Sequence, residues 1–249
     1  MRVDATSYVD AAARVIAWAR EGAPRTVCVA NVHMTMEAWD DPLFQALVNA
    51  ADLVTPDGMP LVWALRRLGV PDATRVYGPT LTLHVCNLAA REGVPVAFLG
   101  GSPEAIAALV PTLQARYPGL QVAYAASPPF RPATPEEGAA TIAAIRASGA
   151  RILFVGLGCP KQEKWMTEHR DRLPLVQLGV GAAFDFHAGR VRQAPPTLQR
   201  VGLEWAFRLA MEPRRLAKRY LKHNPRFVWH LGRQLWRERR TTRARTGRA

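Results

Sequence analysis

Residues 151–165, with the sequence RILFVGLGCPKQEKW, place a short apolar run, a glycine turn and a helix start in direct succession. The length and β-branched content of Arg151–Val155 predict a buried strand. A helix is predicted over Pro160–Arg172, with Pro160 at its first position, where a missing N–H costs nothing. The free N–H groups and the positive end of that helix dipole then point beyond the carboxyl end of the strand. The segment therefore predicts a seat for an anion such as a diphosphate.

Four residues of this turn are candidate substrate-binding residues: Gly158, Lys161, Gln162 and Glu163. A cation, an amide and a carboxylate in one helical turn are more than turn formation requires. The same string also fits a packing glycine followed by a solvated first turn. It is not a known phosphate motif, because Lys161 occupies the place of the third glycine of G-x-G-x-x-G and no G-K-[ST] follows.

Short apolar runs alternate with helical patterns along most of the chain. Strands are predicted at 27–30, 52–55, 95–99, 120–124, 151–155 and 175–178. Helices are predicted at 8–22, 42–50, from 60 onward, and at 79–91, 103–117, 134–148 and 160–172. This alternation with short loops indicates an α/β fold, with a largely parallel, Rossmann-like sheet and helices on both faces.

The segments that follow these strands are expected to meet at one edge of the sheet, because ligands of such folds lie beyond the carboxyl ends of the strands. Candidate residues there are Asn31, Asp57, Gly100, Gly101 and Asp185, together with residues 156–162. An amide, a carboxylate and glycine-rich turns predict a nucleotide-type site, with a carboxylate available as general base.

Each of these side chains also has a simpler interpretation. Asp57 fits a turn residue before Gly58 or a cap for the following helix, and Asn31 fits a turn amide at a strand end. Asp185 fits either a residue lining the site or a structural one, and it is near enough in sequence to His187 to form a pair with it.

The positive charge is concentrated at the C-terminal end. The chain has a net charge of +13, and residues 190–249 contain 17 Lys and Arg against 3 Asp and Glu. We therefore expect a near-neutral catalytic domain at 1–189 and a basic helical appendage at 190–249. Such asymmetry points to a polyanionic surface as partner.

The appendage is predicted to form helices at 203–211, 214–223 and 225–240, broken at Pro213 and Pro225. In the last of them the apolar side chains of Phe227, Leu231 and Leu235 share one face, with Val228 and Trp229 nearby. Much of the remainder is occupied by Arg226, Arg233, Arg237 and Arg240. This pattern is typical of a helix lying on an anionic membrane. It also fits a helix packed on the core with a solvated basic face, or an arm that binds nucleic acid.

Three separate cysteines, without a C-x-x-C pair, favour a reducing compartment over a disulfide framework or a metal site. The start of the chain has no signal-peptide pattern, and no apolar run approaches the roughly 18 residues that span a bilayer. We expect a cytoplasmic protein that associates peripherally with a membrane.

Six segments occur in a recognisable order: PDG at 56–58, RVYG at 75–78, FLGG at 98–101, GLGCPKQEKW at 156–165, GVGAAFD at 179–185 and GLEWAFRLAMEPRRLAKRY at 202–220. Together they resemble the WecG/TagA/CpsF family of bacterial glycosyltransferases, glycosyltransferase family 26. The resemblance implies an inverting enzyme that transfers a sugar from a UDP-sugar to a polyprenyl-diphosphate-linked sugar at the inner face of the cytoplasmic membrane. The products implied are teichoic acid linkage units, common antigen or exopolysaccharides.

The resemblance also implies a fold of the GT-E type, no metal requirement and a C-terminal appendage that completes the active site. By position, Asp57 is similar to the family's general base, and Asn31 and Gln162 are similar to its sugar- and acceptor-contacting amides. Arg208 and Arg215 are similar to arginines that meet a diphosphate. The transferred hexose or N-acetylhexosamine stays open among N-acetylmannosamine, its uronic acid and glucose.

Inverting sugar transfer needs a base for the acceptor hydroxyl and positive charge for the departing UDP. Many glycosyltransferases use a metal held by D-x-D, a motif that this sequence lacks. We expect no metal and no cofactor, with the helix N-termini after Gly101 and Gly158 and the two arginines taking that role. The alternatives are a nucleic-acid-binding protein with a basic arm and a nucleotide-cofactor oxidoreductase, which would lack a full glycine fingerprint.

Overall fold

The computed structural model describes the backbone of residues 1–246 and the side chains of residues 1–238. The strands are β1 (Arg25–Ala30), β2 (Leu53–Pro56), β3 (Val96–Gly100), β4 (Val122–Ala126), β5 (Ile152–Gly156) and β6 (Val176–Gly179). The helices of the described part are α1 (Tyr8–Glu21), α2 (Val32–Asp40), α3 (Pro42–Asn49), α4 (Met59–Arg67), α5 (Gly78–Glu92), α6 (Pro103–Arg116), α7 (Pro135–Ala147), α8 (Lys161–Glu168), α9 (Ala183–His187), α10 (Pro196–Arg200), α11 (Glu204–Met211) and α12 (Pro213–Thr246), with a 3₁₀ turn at Arg170–Arg172.

The strands form one six-stranded sheet in the order β2-β1-β6-β5-β3-β4, and every neighbouring pair is parallel. Each predicted strand is present, with its ends shifted by one or two residues. The predicted α/β, Rossmann-like architecture is therefore confirmed, and the sheet is parallel throughout.

Helices cover both faces of the sheet, as predicted. Val27 and Val29 of β1 belong to an apolar layer formed with α1, α5 and α6. Cys28 and Ala30 point the other way, into a layer formed with α2, α3 and α7. A strand buried on both faces has no need of polar alternation, which explains the continuous apolar runs of the sequence.

The helices differ most from the sequence prediction at α8 and at three helices that were not predicted, α2, α9 and α10. α8 begins at Lys161, because Pro160, which follows a cis peptide bond, has ψ near 3° and occupies the cap position instead of the first turn. α2 was not predicted at all. The Asn31 Oδ1 atom accepts a hydrogen bond from the Met34 N–H at 3.2 Å, so this residue caps a helix instead of ending a strand in a turn.

The C-terminal helix is longer than predicted, because α12 continues through Pro225. Proline removes the hydrogen bond to the carbonyl four residues earlier. That residue is Leu221, which is 76% exposed, so its carbonyl lies on the side of the helix that faces solvent. The predicted break at Pro225 is therefore wrong, and residues 213–246 form one helix.

The predicted lipid-facing stripe is wrong for two of its residues, Phe227 and Leu231. Phe227 is only 8% exposed and, with Leu231, packs into the core layer that contains α2. Val228 and Trp229, which the sequence analysis also named, are more than half exposed, as are Leu221 and Trp236. α12 therefore has an inner apolar face against the α/β body and an outer one.

Within the described residues, no helix is both long enough and apolar enough to cross a bilayer. Residues 247–249 of the predicted appendage, and the side chain of Arg240, lie outside the described part of the chain.

Candidate functional site

Asp57 lies directly after β2, at the carboxyl edge of the sheet. Its N–H donates to the Ala30 carbonyl at 2.8 Å, which continues the pairing of β1 with β2 by one residue. The Gly78 N–H, at the start of α5, donates to Asp57 Oδ1 at 3.3 Å. The side chain is 16% exposed. A carboxylate held by two elements at a strand end, and still reachable, has the placement of a reactive group.

Arg75 joins Asp57 to the C-terminal appendage. Its Nε donates to the Asp57 carbonyl, and its Nη2 lies 4.0 Å from Asp57 Oδ1 and 2.5 Å from Glu204 Oε2. Its Nη1 donates to Gln199 Oε1 at 3.2 Å, and the guanidinium lies 4.1 Å from the Tyr77 ring centroid. Sequence reasoning assigned no role to Arg75 or Glu204, although both lie in segments that carry the family resemblance.

Burial raises the pKa of Asp57 to about 6. Arg75 acts against this shift, the Glu204 carboxylate adds to it, and the Gly78 N–H and Arg208 again oppose it. The carboxylate is therefore mostly ionised at neutral pH, with a pKa close to the pH at which it would act. A general base works best under that condition.

Asn31 directly follows β1 and lies next to Asp57, because Ala30 and Pro56 are partners in the parallel pair. Its Oδ1 caps α2, and its amide N–H₂ group makes no hydrogen bond to any described residue. The structure thus brings Asn31 and Asp57 together, with amide donors left over for a ligand.

The glycines at the ends of β3 and β5 allow the two chains to approach closely. A Cβ atom on Gly100 would lie 2.5 Å from the carbonyl carbon of Gly156, and the Gly101 N–H donates to the Gly156 carbonyl at 3.2 Å. Gly158 differs, because a Cβ there would meet nothing within 4 Å, while its φ of +79° favours glycine. Gly100, Gly101 and Gly156 therefore allow the ends of β3 and β5 to pack closely, whereas the space beside Gly158 is open.

Gln162 is 3% exposed and joins two loops. Its Oε1 accepts hydrogen bonds from the Gly158 N–H and the Gly181 N–H, each at 3.1 Å, and its Nε2 donates to Glu163 Oε1 at 2.7 Å. Gln162 therefore fixes the loops after β5 and β6 relative to each other. Lys161 is exposed beside it and forms no ion pair with any residue of the described part.

Glu163 is fully buried beneath the same turn. Its Oε2 atom has no hydrogen-bond partner among the described residues. Burial raises the pKa of this carboxyl to about 7, while hydrogen bonds, first that from Gln162, oppose the shift. Burial likewise raises the pKa of the adjacent Cys159 thiol. The acidic groups beneath this turn, Glu163 and Cys159, are therefore protonated to a large extent at neutral pH.

Asp57 and the turn at 161–163 are not in contact. Two strands, β1 and β6, lie between β2 and β5, so three inter-strand spacings separate them, about 14 Å. They occupy the same edge of the sheet and bracket the loops after β1 and β6. The arrangement suits an extended ligand better than a compact one.

Asp185 lies in α9 and is half-buried, and its side chain makes no hydrogen bond or ion pair with other described residues. The Nε2 atom of His187 lies 2.9 Å from the Pro79 carbonyl, an acceptor, so the ring nitrogen donates there. Asp185 and His187 form no hydrogen bond or ion pair with each other, so the carboxylate–histidine pair considered from the sequence is not formed.

Arg208, Arg215 and Arg219 of the appendage lie close enough for their charges to interact, and the charge of Arg208 also acts on Asp57. The Nε atoms of Arg208 and Arg219 are buried and have no hydrogen-bond partner among the described residues. Burial, together with the charges of Arg208 and Arg215, lowers the pKa of Arg219, although Tyr220 opposes that shift. Arg215 is exposed and pairs with Glu212 at 2.5 Å. Buried guanidinium donors without partners indicate an anion-binding position.

Comparison with protein-family models gives a match over nearly the whole chain. The model described as "Glycosyl transferase WecG/TagA/CpsF family" matches residues 1–241. The matched range contains every candidate site residue described above.

Proposed function

The chain belongs to the WecG/TagA/CpsF glycosyltransferase family, and on that basis we propose that it transfers a hexose or N-acetylhexosamine from a UDP-sugar to a sugar carried on a polyprenyl diphosphate. The family places it among the glycosyltransferases of cell-surface polysaccharide synthesis. The donor, the acceptor and the inverting course are parts of the proposal.

The observation that carries this proposal is the placement of Asp57. A nearly buried carboxylate with a pKa of about 6 lies at the edge where α/β folds bind ligands, beside the amide of Asn31. The appendage is attached to it through Arg75 and Glu204. A base and a cationic cover in one place are the two requirements of metal-free sugar transfer.

In the proposed reaction Asp57 accepts the proton of the acceptor hydroxyl while the hydroxyl oxygen attacks C1 of the donor sugar. The bond between C1 and the UDP oxygen breaks as the new glycosidic bond forms on the opposite face, which inverts the anomeric centre. The electron pair leaves with UDP, and the proton passes from Asp57 to water. The amide of Asn31 would hold a sugar hydroxyl next to the base.

Charge that develops on the departing diphosphate would be stabilised by Arg208 and Arg219, whose buried Nε atoms lack partners among the described residues. Arg215 would join them once a ligand competes with its exposed partner Glu212. Lys161, Gly158, Gly100 and Gly101 would line the far part of the crevice. Gln162 and Glu163 shape that part from below, because both are buried, and Asp185 lies at its margin.

The proposed acceptor is lipid-borne, and the outer face of α12 supports that part. It carries exposed apolar and aromatic side chains on a strongly basic helix, which is the pattern of helices that lie in a membrane interface. We propose residues 190–249 as the membrane-associating appendage of a catalytic domain at 1–189, at the cytoplasmic face of the membrane.

The direct test is a transfer assay with a panel of UDP-sugars and a short-chain polyprenyl-diphosphate-linked sugar, read by mass spectrometry. Asp57→Asn is expected to lower kcat by about 10²- to 10⁴-fold with an unchanged fold. The exposed Asp72→Asn serves as the matched control and should retain full activity. Wild-type activity in Asp57→Asn would remove the assignment of the base, and transfer from no UDP-sugar would remove the donor class.

A further inference from the structure

Outside the crevice, three potential metal ligands converge between α2 and α12. His33 and Glu37 are one turn apart on α2, and His223 lies on α12. Their ligand atoms lie within 4.8 Å of one another, and this is the one such group of His, Cys, Asp and Glu residues found among the described residues. We propose that these three side chains form a zinc-binding site that clips the C-terminal helix to the α/β body.

Two of the three separations between ligand atoms are close to those around a tetrahedral ion. Glu37 Oε1 lies 3.6 Å from His33 Nε2 and 3.4 Å from His223 Nε2. With bonds of about 2.0–2.1 Å, tetrahedral zinc holds neighbouring ligand atoms about 3.3–3.4 Å apart. The observed separations are longer than a good hydrogen bond and close to this tetrahedral edge.

His33 and His223 both face the Glu37 carboxylate, and they form no hydrogen bond with each other. His223 is 3% exposed, and its Nδ1 atom is buried with no hydrogen-bond partner in the described part of the chain. The rings of His33 and His223 meet edge to face, with centroids 5.1 Å apart. The Nε2 atoms of both rings, and not Nδ1, are the ones nearest Glu37 Oε1, and a shared cation would bind them there.

The chemical types of the three ligands also suit a metal. Two histidines and one carboxylate, with a fourth position for water, form a donor set that zinc favours.

Lys222 is the competing cation. Its Nζ atom lies 4.0 Å from Glu37 Oε1 and 3.9 Å from Asp40 Oδ2, so it can turn fully to Asp40 when an ion binds Glu37. The nearby Arg226 already pairs with Asp40, and Arg219 acts on His33. These positive charges limit the affinity of the site, and removal of Lys222 should raise it.

A zinc ion at this site would have a structural role and would take no part in catalysis. α2 begins at its cap residue Asn31, beside Asp57, and α12 carries Arg215 and Arg219. An ion bound by His33, Glu37 and His223 would fix these two helices relative to each other. The binding itself does not depend on the proposed sugar transfer.

The test is zinc binding to the full-length protein, freed of any affinity tag and stripped with chelator, followed by calorimetry. One Zn²⁺ per chain is expected, with a rise in Tm of about 5–10 °C at a hundredfold excess over Kd. Co²⁺ should give the visible absorption of a four-coordinate ion. Glu37→Gln and His223→Ala should each weaken binding at least about tenfold, and Lys222→Met should tighten it about two- to fivefold.

The matched control is His230→Ala. His230 lies in the same α2–α12 contact but outside the cluster, with its ring centroid 4.0 Å from that of Trp39 and the two rings tilted by 33°. It should keep the one-to-one stoichiometry even if its Tm falls. The proposal is overturned if wild type binds zinc no better than the double variant Glu37→Gln, His223→Ala, or if His230→Ala loses binding to the same extent as His223→Ala. Circular dichroism shows that each variant is folded.

Discussion

Glu204 Oε2 lies 2.5 Å from Arg75 Nη2, and this ion pair attaches the start of α11 to the guanidinium that contacts Asp57. Both partners are largely buried, with side chains 13% and 15% exposed. The ion pair between Glu204 and Arg75 thus connects the appendage to the candidate base. A substitution at Glu204 can therefore test the pKa of Asp57 without altering Asp57 itself.

Glu204→Gln is expected to lower the pKa of Asp57, because the Glu204 carboxylate is one of the groups that raise it. The active form of a general base is the ionised one, so kcat/KM rises with pH through that pKa. The acidic limb of the kcat/KM profile should therefore move to lower pH in the variant. Glu212→Gln, which changes a carboxylate on the same appendage that pairs with Arg215 instead, should leave the limb in place. A limb that stays fixed in Glu204→Gln would contradict the coupling.

Asp57→Asn should also change how stability depends on pH. The pKa of Asp57 is raised to about 6 from its ordinary value of 3.8, so the folded state disfavours ionisation. This cost is absent at low pH and grows as pH rises through 6. Relative to the variant, wild type should lose about 1.4 kcal/mol of unfolding free energy between pH 5 and pH 7.5. Urea unfolding at the two pH values measures it, and parallel changes in both proteins would disagree with a raised pKa.

Gln162→Ala is expected to destabilise the fold, because the Gly158 and Gly181 N–H groups lose their common acceptor. Leaving buried donors unpaired costs about 1–3 kcal/mol each, less where water enters. Lys161→Ala should keep the unfolding free energy within about 0.5 kcal/mol, since the side chain is exposed. It should instead raise KM for the UDP-sugar. Chemical denaturation and donor-titrated kinetics separate these results, and equal stability of the two variants would count against the anchoring role of Gln162.

Trp229→Glu combined with Val228→Glu should weaken binding to vesicles that contain anionic phosphatidylglycerol, because both side chains belong to the outer face of α12. Flotation at several salt concentrations measures the loss. Phe130→Glu is the control, since Phe130 is 86% exposed but lies in the loop before α7. Vesicle binding that survives in the α12 variant would refute the proposed membrane face. Strong salt-dependent retention on an oligonucleotide column would favour nucleic acid as the partner.

Local patterns were enough for most of the fold. Buried parallel strands such as β5 are short apolar runs with glycine at the end, and Thr134 with Glu137 forms the capping box that starts α7. α2 escaped prediction because its cap, Asn31, has the same signature as a turn amide. The helix break predicted at Pro225 is absent, because a proline is tolerated within a helix where the carbonyl that loses its hydrogen bond faces solvent.

The site was only partly predictable, for a physical reason. Strand ends predicted that Asn31 and Asp57 lie together, since parallel strands deliver their carboxyl ends to one edge. Arg75 and Glu204 are separated by 129 positions, and no local periodicity reports a contact of that range. The same holds for Glu37 and His223, which meet only because α12 packs on α2.

The contact between Arg75 and Glu204 has a reciprocal side. The Glu204 carboxylate, when it is bound to Arg75, makes Asp57 harder to ionise. Thermodynamic linkage then requires that ionisation of Asp57 weakens the binding of Glu204 at this position by the same free energy. The appendage is therefore held most firmly when Asp57 carries a proton. Under the proposed reaction that is the moment just after transfer, so return of the proton to water would be coupled to the release of products.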